Sequence, residues 1–187
     1  MLEPIFDKDS FKVLSVFSLS PGSRLRRNEI KAMTRLNNVT LDNALARLSN
    51  CGIVKIEKNL YELNFEKDET KKVIELVSRQ YKELRELPLN VFFVLSDAVD
   101  ALSTVKGVEV YLFGSYAKLV YREKSDIDLA VILKPGQKAP DLTKLSAKLE
   151  KIYGKKVQIH DFESEAFYKN KKDPLVSEIL RNGVKLL

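Results

Sequence analysis

The stretch Leu112-Phe113-Gly114-Ser115, ten residues, then Asp126-Ile127-Asp128-Leu129-Ala130-Val131-Ile132-Leu133 decides how the C-terminal half of this 187-residue chain folds. An apolar run that ends in a Gly-Ser turn reads as a strand. The second run is apolar on both sides apart from its carboxylates, as in a covered central strand. Side chains alternate along a strand, so Asp126 and Asp128 project to one face while Ile127 and Leu129 pack on the other.

Two carboxylates held together on a rigid strand repel each other unless something neutralises them, and divalent cations with oxygen ligands do this. Magnesium is the expected ion, and two ions roughly 3.5 to 4 Å apart would activate an attacking hydroxyl and offset charge on a leaving pyrophosphate. Gly114 lets backbone approach a triphosphate closely, and Ser115 adds a hydroxyl and an N–H at an expected helix start. Lys118, Arg122 and Lys124 lie between the two halves of the pattern, where they suit phosphate steering.

Further strands are expected at Val108 to Phe113 and Lys156 to His160. Helices are expected at Leu142, Leu145, Leu149 and Ile152, closed by Gly154, and from Pro174 to Asn182-Gly183. A buried helix, roughly Leu89 to Thr104, precedes them. The pattern is mixed α/β.

The first sixty-five or so residues read differently. Asp9 or Ser10 caps a helix over Phe11, Val13, Leu14 and Phe17; a second covers Arg27 to Leu36 with Ile30 and Met33 inward. After an Asn37-Asn38 turn, a third from about Thr40 places Leu41, Leu45 and Leu48 on one stripe. A hairpin follows, Ile53 to Glu57 and Leu60 to Phe65 about Lys58-Asn59, with Tyr61, Leu63 and Phe65 alternating with polar residues.

Three helices and a hairpin in this length resemble a winged helix-turn-helix. The expected division is 1-66 for that domain, 67-88 for a linking helix marked by Val73, Val77, Tyr81 and Leu84, and 89-187 for the α/β domain. Phe92-Phe93 and the Tyr81/Leu84 stripe are read as packing.

Composition narrows the partners. A net charge of +6 favours acidic ones, with nucleotide and nucleic acid foremost. The longest apolar stretches fall far short of a membrane span, and Met1-Leu2-Glu3-Pro4 carries no secretory leader pattern. A single cysteine, Cys51, excludes an internal disulfide, and a cytoplasmic location is expected. In the N-terminal module Arg26, Arg27, Thr40, Asn43 and Arg47 are the residues best typed to meet DNA. The opposing view is a solvated face that docks a protein.

The Gly-Ser, ten residues, Asp-x-Asp arrangement resembles the signature of the minimal nucleotidyltransferases of the polymerase-beta superfamily, over about Leu89 to Leu187. That resemblance implies a small mixed sheet flanked by helices, with Gly114 and Ser115 on the triphosphate of ATP and Asp126 and Asp128 as catalytic magnesium ligands. It also implies transfer of AMP to a protein hydroxyl, such as a tyrosine of a HEPN-type toxin, within a homo-oligomer or hetero-complex. The chain would then be an antitoxin.

Members of that family commonly carry a third carboxylate in the third strand, where this chain has Lys156-Val157-Gln158-Ile159-His160-Asp161. Gln158 takes that position by alignment. His160 shares its face, and Asp161 reaches the site only if the strand ends or bulges before it. Two other readings follow: a DNA-binding regulator whose impaired domain senses nucleotide, and a transferase acting on RNA ends.

Overall fold

The first helix begins one turn earlier than its apolar stripe suggests, because the Asp7 carboxylate accepts from the backbone N–H groups of Asp9 and Ser10, both at 3.1 Å. In this computed structural model, which describes residues 7–82, 84 and 86–187, α1 spans Lys8–Leu19 and stops before Pro21-Gly22. The Met1–Pro4 stretch and the side chain of Tyr81 lie outside the described residues.

The chain divides into two compact units, one ending at Asn90 and the other running Val91–Leu187. After α1 come β1 (Leu25–Arg26), α2 (Arg27–Thr34), α3 (Asn38–Asn50), β2 (Val54–Glu57), β3 (Leu60–Leu63) and α4 (Asp68–Lys82). The strands form an antiparallel sheet ordered β1-β3-β2. α2 ends two residues short of Leu36 because Arg35 turns left-handed at φ 58°. Asn37 caps α3 by accepting from Thr40 N–H at 3.0 Å, so the expected turn is itself the start of the helix. Lys58 and Asn59 both have positive φ, the backbone of a two-residue hairpin turn that matches strand twist.

Val13, Leu14, Phe17, Ile30, Leu41, Leu45, Leu48 and Leu63 form the core of this unit, together with Val73, Ile74 and Val77 of α4. The segment read as a link therefore contributes a face to that core. Two residues expected inward are exposed instead: Met33, and Phe65, which lies beyond the end of β3. Glu62 is nearly buried in their stead, held by Arg24 at 2.5 Å and Lys55 at 3.3 Å.

The second unit is built on α5 (Leu89–Leu102), β4 (Glu109–Phe113), α6 (Gly114–Ala117), β5 (Ile127–Leu133), α7 (Leu142–Tyr153), β6 (Val157–Glu163), α8 (Ser164–Lys169), α9 (Pro174–Asn182) and β7 (Val184–Lys185). Phe92 and Phe93 of α5 are buried, as their packing role requires. The sheet runs β6-β5-β4-β7; β4 is antiparallel to β5 and to β7, while β6 returns parallel to β5 after the α7 crossover.

Cross-strand partners face the same way, which sorts the sheet into two faces. One carries Phe113, Ala130 and Ile132 under Phe167 of α8 and Val176 and Ile179 of α9. The other carries Val110, Val131 and Leu133 with Leu102, Leu142 and Leu145. Leu149 is buried, but Ile152, expected inward on α7, is exposed. Among the described residues no helix is long and apolar enough to cross a membrane.

Candidate functional site

β4 and β5 meet so that Phe113 pairs with Asp128, which places the Gly-Ser turn against the second aspartate. Gly114 adopts φ +71°, a conformation in which a side chain is strained, and a Cβ built there would lie 3.2 Å from Asp128 Cγ and overlap Oδ2. The glycine is thus required twice, by its backbone and by the carboxylate beside it. Ser115 follows at the start of α6, its carbonyl accepting from Val120 N–H at 3.0 Å.

β6 supplies the third strand of the site. Asp128 pairs with Gln158, and Ala130 pairs with His160. Gln158 Nε2 donates to Asp126 Oδ2 at 2.6 Å, and the Lys156 ammonium donates to the same oxygen at 2.9 Å. The His160 ring meets the Phe113 ring edge-on, with centroids 5.6 Å apart. Asp161 pairs with Val131, is exposed and lies on the opposite face, since β6 runs without interruption to Glu163. The strand neither ends nor bulges before Asp161, so alternation turns it away.

The surroundings push the two carboxylates in opposite directions. The Lys156 ammonium and then the Gln158 amide hold Asp126 below the usual carboxylate range. Burial pushes Asp128 up, and the neighbouring Asp126 charge adds to this, offset in part by His160 and Lys156. Among the described residues the Asp128 carboxylate accepts no hydrogen bond. A half-buried acid without a donor fits a metal cation, which would supply the missing counter-charge. Among the described residues no group of three or more His, Cys, Asp or Glu is placed to hold a metal ion.

Lys156 was not singled out by the sequence reading. Its signal was present, because positions 156, 158 and 160 share a face by alternation. Of the cations expected to steer phosphate, Lys118 is engaged by Glu178 at 2.7 Å. The candidate DNA residues of the N-terminal unit are spread over different roles. Arg27 grips Asp42 at 2.6 Å, Arg47 pairs with Asp7 at 3.0 Å, and the Thr40 hydroxyl donates to the Asn37 carbonyl at 3.2 Å. Arg26 and Asn43 are exposed. Arg26 borders an open cleft of about 400 Å³ with Arg27, Asn28, Lys58, Asn59 and Leu60.

The turn glycine is pressed on Asp128 where the two inner strands of a small mixed sheet meet, with Asp126 one residue ahead of β5. Residues 100–187 of the chain match the family model described as "Polymerase beta, Nucleotidyltransferase".

Among curated proteins it is similar to one from Methanocaldococcus jannaschii provisionally named a protein adenylyltransferase. The two are 40% identical over 53 residues, which is 28% of this chain and 57% of the relative. The chain thus spans little more than half the length of that relative. Two solved structures are also similar, each covering 50% of this chain and 72% of the other with a TM-score of 0.38. One is a toxin-antitoxin with AMP-PNP, at 22% identity; the other is a mutant of the toxin-antitoxin MntA-HpeT, at 21%.

Proposed function

We propose that the chain transfers AMP from ATP to a hydroxyl of a partner protein, in a reaction that depends on magnesium. The observation that carries this is the Asp128 carboxylate packed on Gly114, with Asp126 immediately before the strand that carries Asp128. The name of the archaeal relative supports a protein acceptor. A tyrosine of a HEPN-type toxin is the acceptor that the sequence resemblance implies, and the chain would then act as its antitoxin.

In the transfer the acceptor oxygen bonds to the α-phosphorus, the bond from that phosphorus to the bridging oxygen breaks, and pyrophosphate leaves with the electron pair. The hydroxyl proton passes to solvent. Bound magnesium supplies charge neutralisation on the triphosphate. The chain's own residues do the positioning: Asp126 and Asp128 would hold the ion, the Gly114-Ser115 turn would present backbone to the phosphates, and Phe113 backs the His160 ring on the same face.

The test uses the full chain, α-labelled ATP, magnesium and the candidate acceptor protein. Label should appear on the partner and vanish when Asp126→Ala and Asp128→Ala are combined. Full transfer by the double variant removes the assigned site.

A second reading is favoured by Gln158, which lacks the charge of a carboxylate. In it the chain is a DNA-binding regulator with a winged helix-turn-helix and a nucleotide-sensing domain. The cleft bordered by Arg26, Asn28 and Lys58 suits a phosphate backbone. Calorimetry with ATP and magnesium that shows binding while a turnover assay shows no product would select this alternative.

A further inference from the structure

Asp126 Oδ2 carries two nitrogen donors at once, Lys156 Nζ at 2.9 Å and Gln158 Nε2 at 2.6 Å. One of its two oxygens is therefore committed to the protein's own groups. Gln158 stands on the rung of Asp128, where a third carboxylate would complete the ligands of a second ion, and it is neutral. Asp161, the nearest acid along β6, faces the other way. The surroundings of the two aspartates thus offer two carboxylates and already hold one ammonium. A second divalent ion would meet an ammonium instead of an anion.

We propose that Lys156 is a built-in cation that replaces the second metal ion, so that the site takes one divalent ion on Asp128 and the remaining oxygen of Asp126. This rests on the nucleotidyltransferase reading above and deepens it. The Lys156 side chain is 60% exposed on a four-carbon stem, so its ammonium can stay on Asp126 or turn to an anionic oxygen of bound nucleotide or acceptor. A metal ion has no such covalent tether to the chain. Gln158 is the companion of this arrangement, because its amide gives Asp126 a donor without adding the charge that would recruit another cation.

Ion stoichiometry tests the proposal without relying on turnover. Mn²⁺ is titrated into the full chain saturated with an ATP analogue bearing a non-hydrolysable α,β-methylene link, and free Mn²⁺ is read by electron paramagnetic resonance. The wild type should bind one ion per chain. Lys156→Met should still bind one, about five-fold tighter because a competing cation is gone. Lys156→Met combined with Gln158→Asp should bind two, and Lys156→Arg should bind one with wild-type affinity.

Two ions in the wild type, or unchanged affinity in Lys156→Met, would overturn the proposal and leave the transferase reading intact. No Mn²⁺ bound in the presence of the analogue would bring down both. Lys156 lies at the surface, so its replacement leaves the core untouched.

Discussion

Replacing Gly114 by alanine separates what the backbone needs from what the carboxylate needs. The added Cβ would lie 3.2 Å from Asp128 Cγ. Ordinary carbon contacts run about 3.5–4.0 Å, so Cγ must retreat by at least ~0.3–0.8 Å, and the overlapping Oδ2 by more. A misplacement of about 1 Å costs on the order of 10²-fold in rate. The expected loss in transfer is therefore roughly 10-fold to 10²-fold, with weaker Mn²⁺ binding alongside.

Stability falls as well, since a left-handed residue other than glycine costs about 1–2 kcal/mol. Gly136 supplies the control. It has φ +75° with nothing within 4 Å of an added Cβ, so Gly136→Ala carries the backbone strain without the collision. Both variants should lose about 1–2 kcal/mol in urea unfolding. Only Gly114→Ala should lose metal affinity and transfer. Equal metal affinity and equal turnover in the two variants would refute the reasoning that Gly114 is required by Asp128.

Two further outcomes are expected. Glu109 accepts from Lys185 at 2.6 Å, Tyr168 at 3.0 Å and Tyr111 at 3.1 Å, and the Lys185 bond foremost holds its carboxyl below the ordinary value of 4.5. Because the folded value is depressed, this stabilisation is present above pH 4.5 and fades as the pH falls below it, so the urea midpoint of Glu109→Gln should trail the wild type at pH 7 and converge with it in acid. In the N-terminal unit, Asp42→Asn should release Arg27. Under the regulator reading, duplex DNA affinity measured against salt should then gain a slope of about one additional ion, and an unchanged slope would place Arg27 away from the phosphates.

The helices were legible because their apolar residues recur at helical spacing and their caps carry the right side chains. Pro174 at the start of α9 and Gly154 just past the end of α7 illustrate this at the boundaries. The boundary errors have local causes. Asp7 caps α1 where Asp9 or Ser10 also qualified, and Arg35 ends α2 in a backbone region that nothing in its side chain announces. β1 and β7 are two residues each and exist through their partners, β3 and β4, so no periodicity could reveal them.

Within the site, the Asp-x-Asp face and the placement of Gln158 were readable from alternation. What alternation could not supply is which donors reach Asp126. That depends on β6 returning parallel beside β5 at the register that sets Gln158 opposite Asp128. The engagement of Arg27 and Arg47 was hidden for the same reason, since their acids lie far off in sequence, Asp42 and Asp7.

The staple at Glu109 also sets the schedule on which the second unit can mature. Its strongest donor, Lys185, is made 76 residues later. At a ribosomal pace of about 5–20 residues per second, a nascent β4 waits roughly 4–15 s with one edge open. Throughout that interval its bare hydrogen-bonding groups invite the wrong neighbour. Production at low temperature or with abundant chaperone should therefore change the yield of intact protein more than any gain in final stability would.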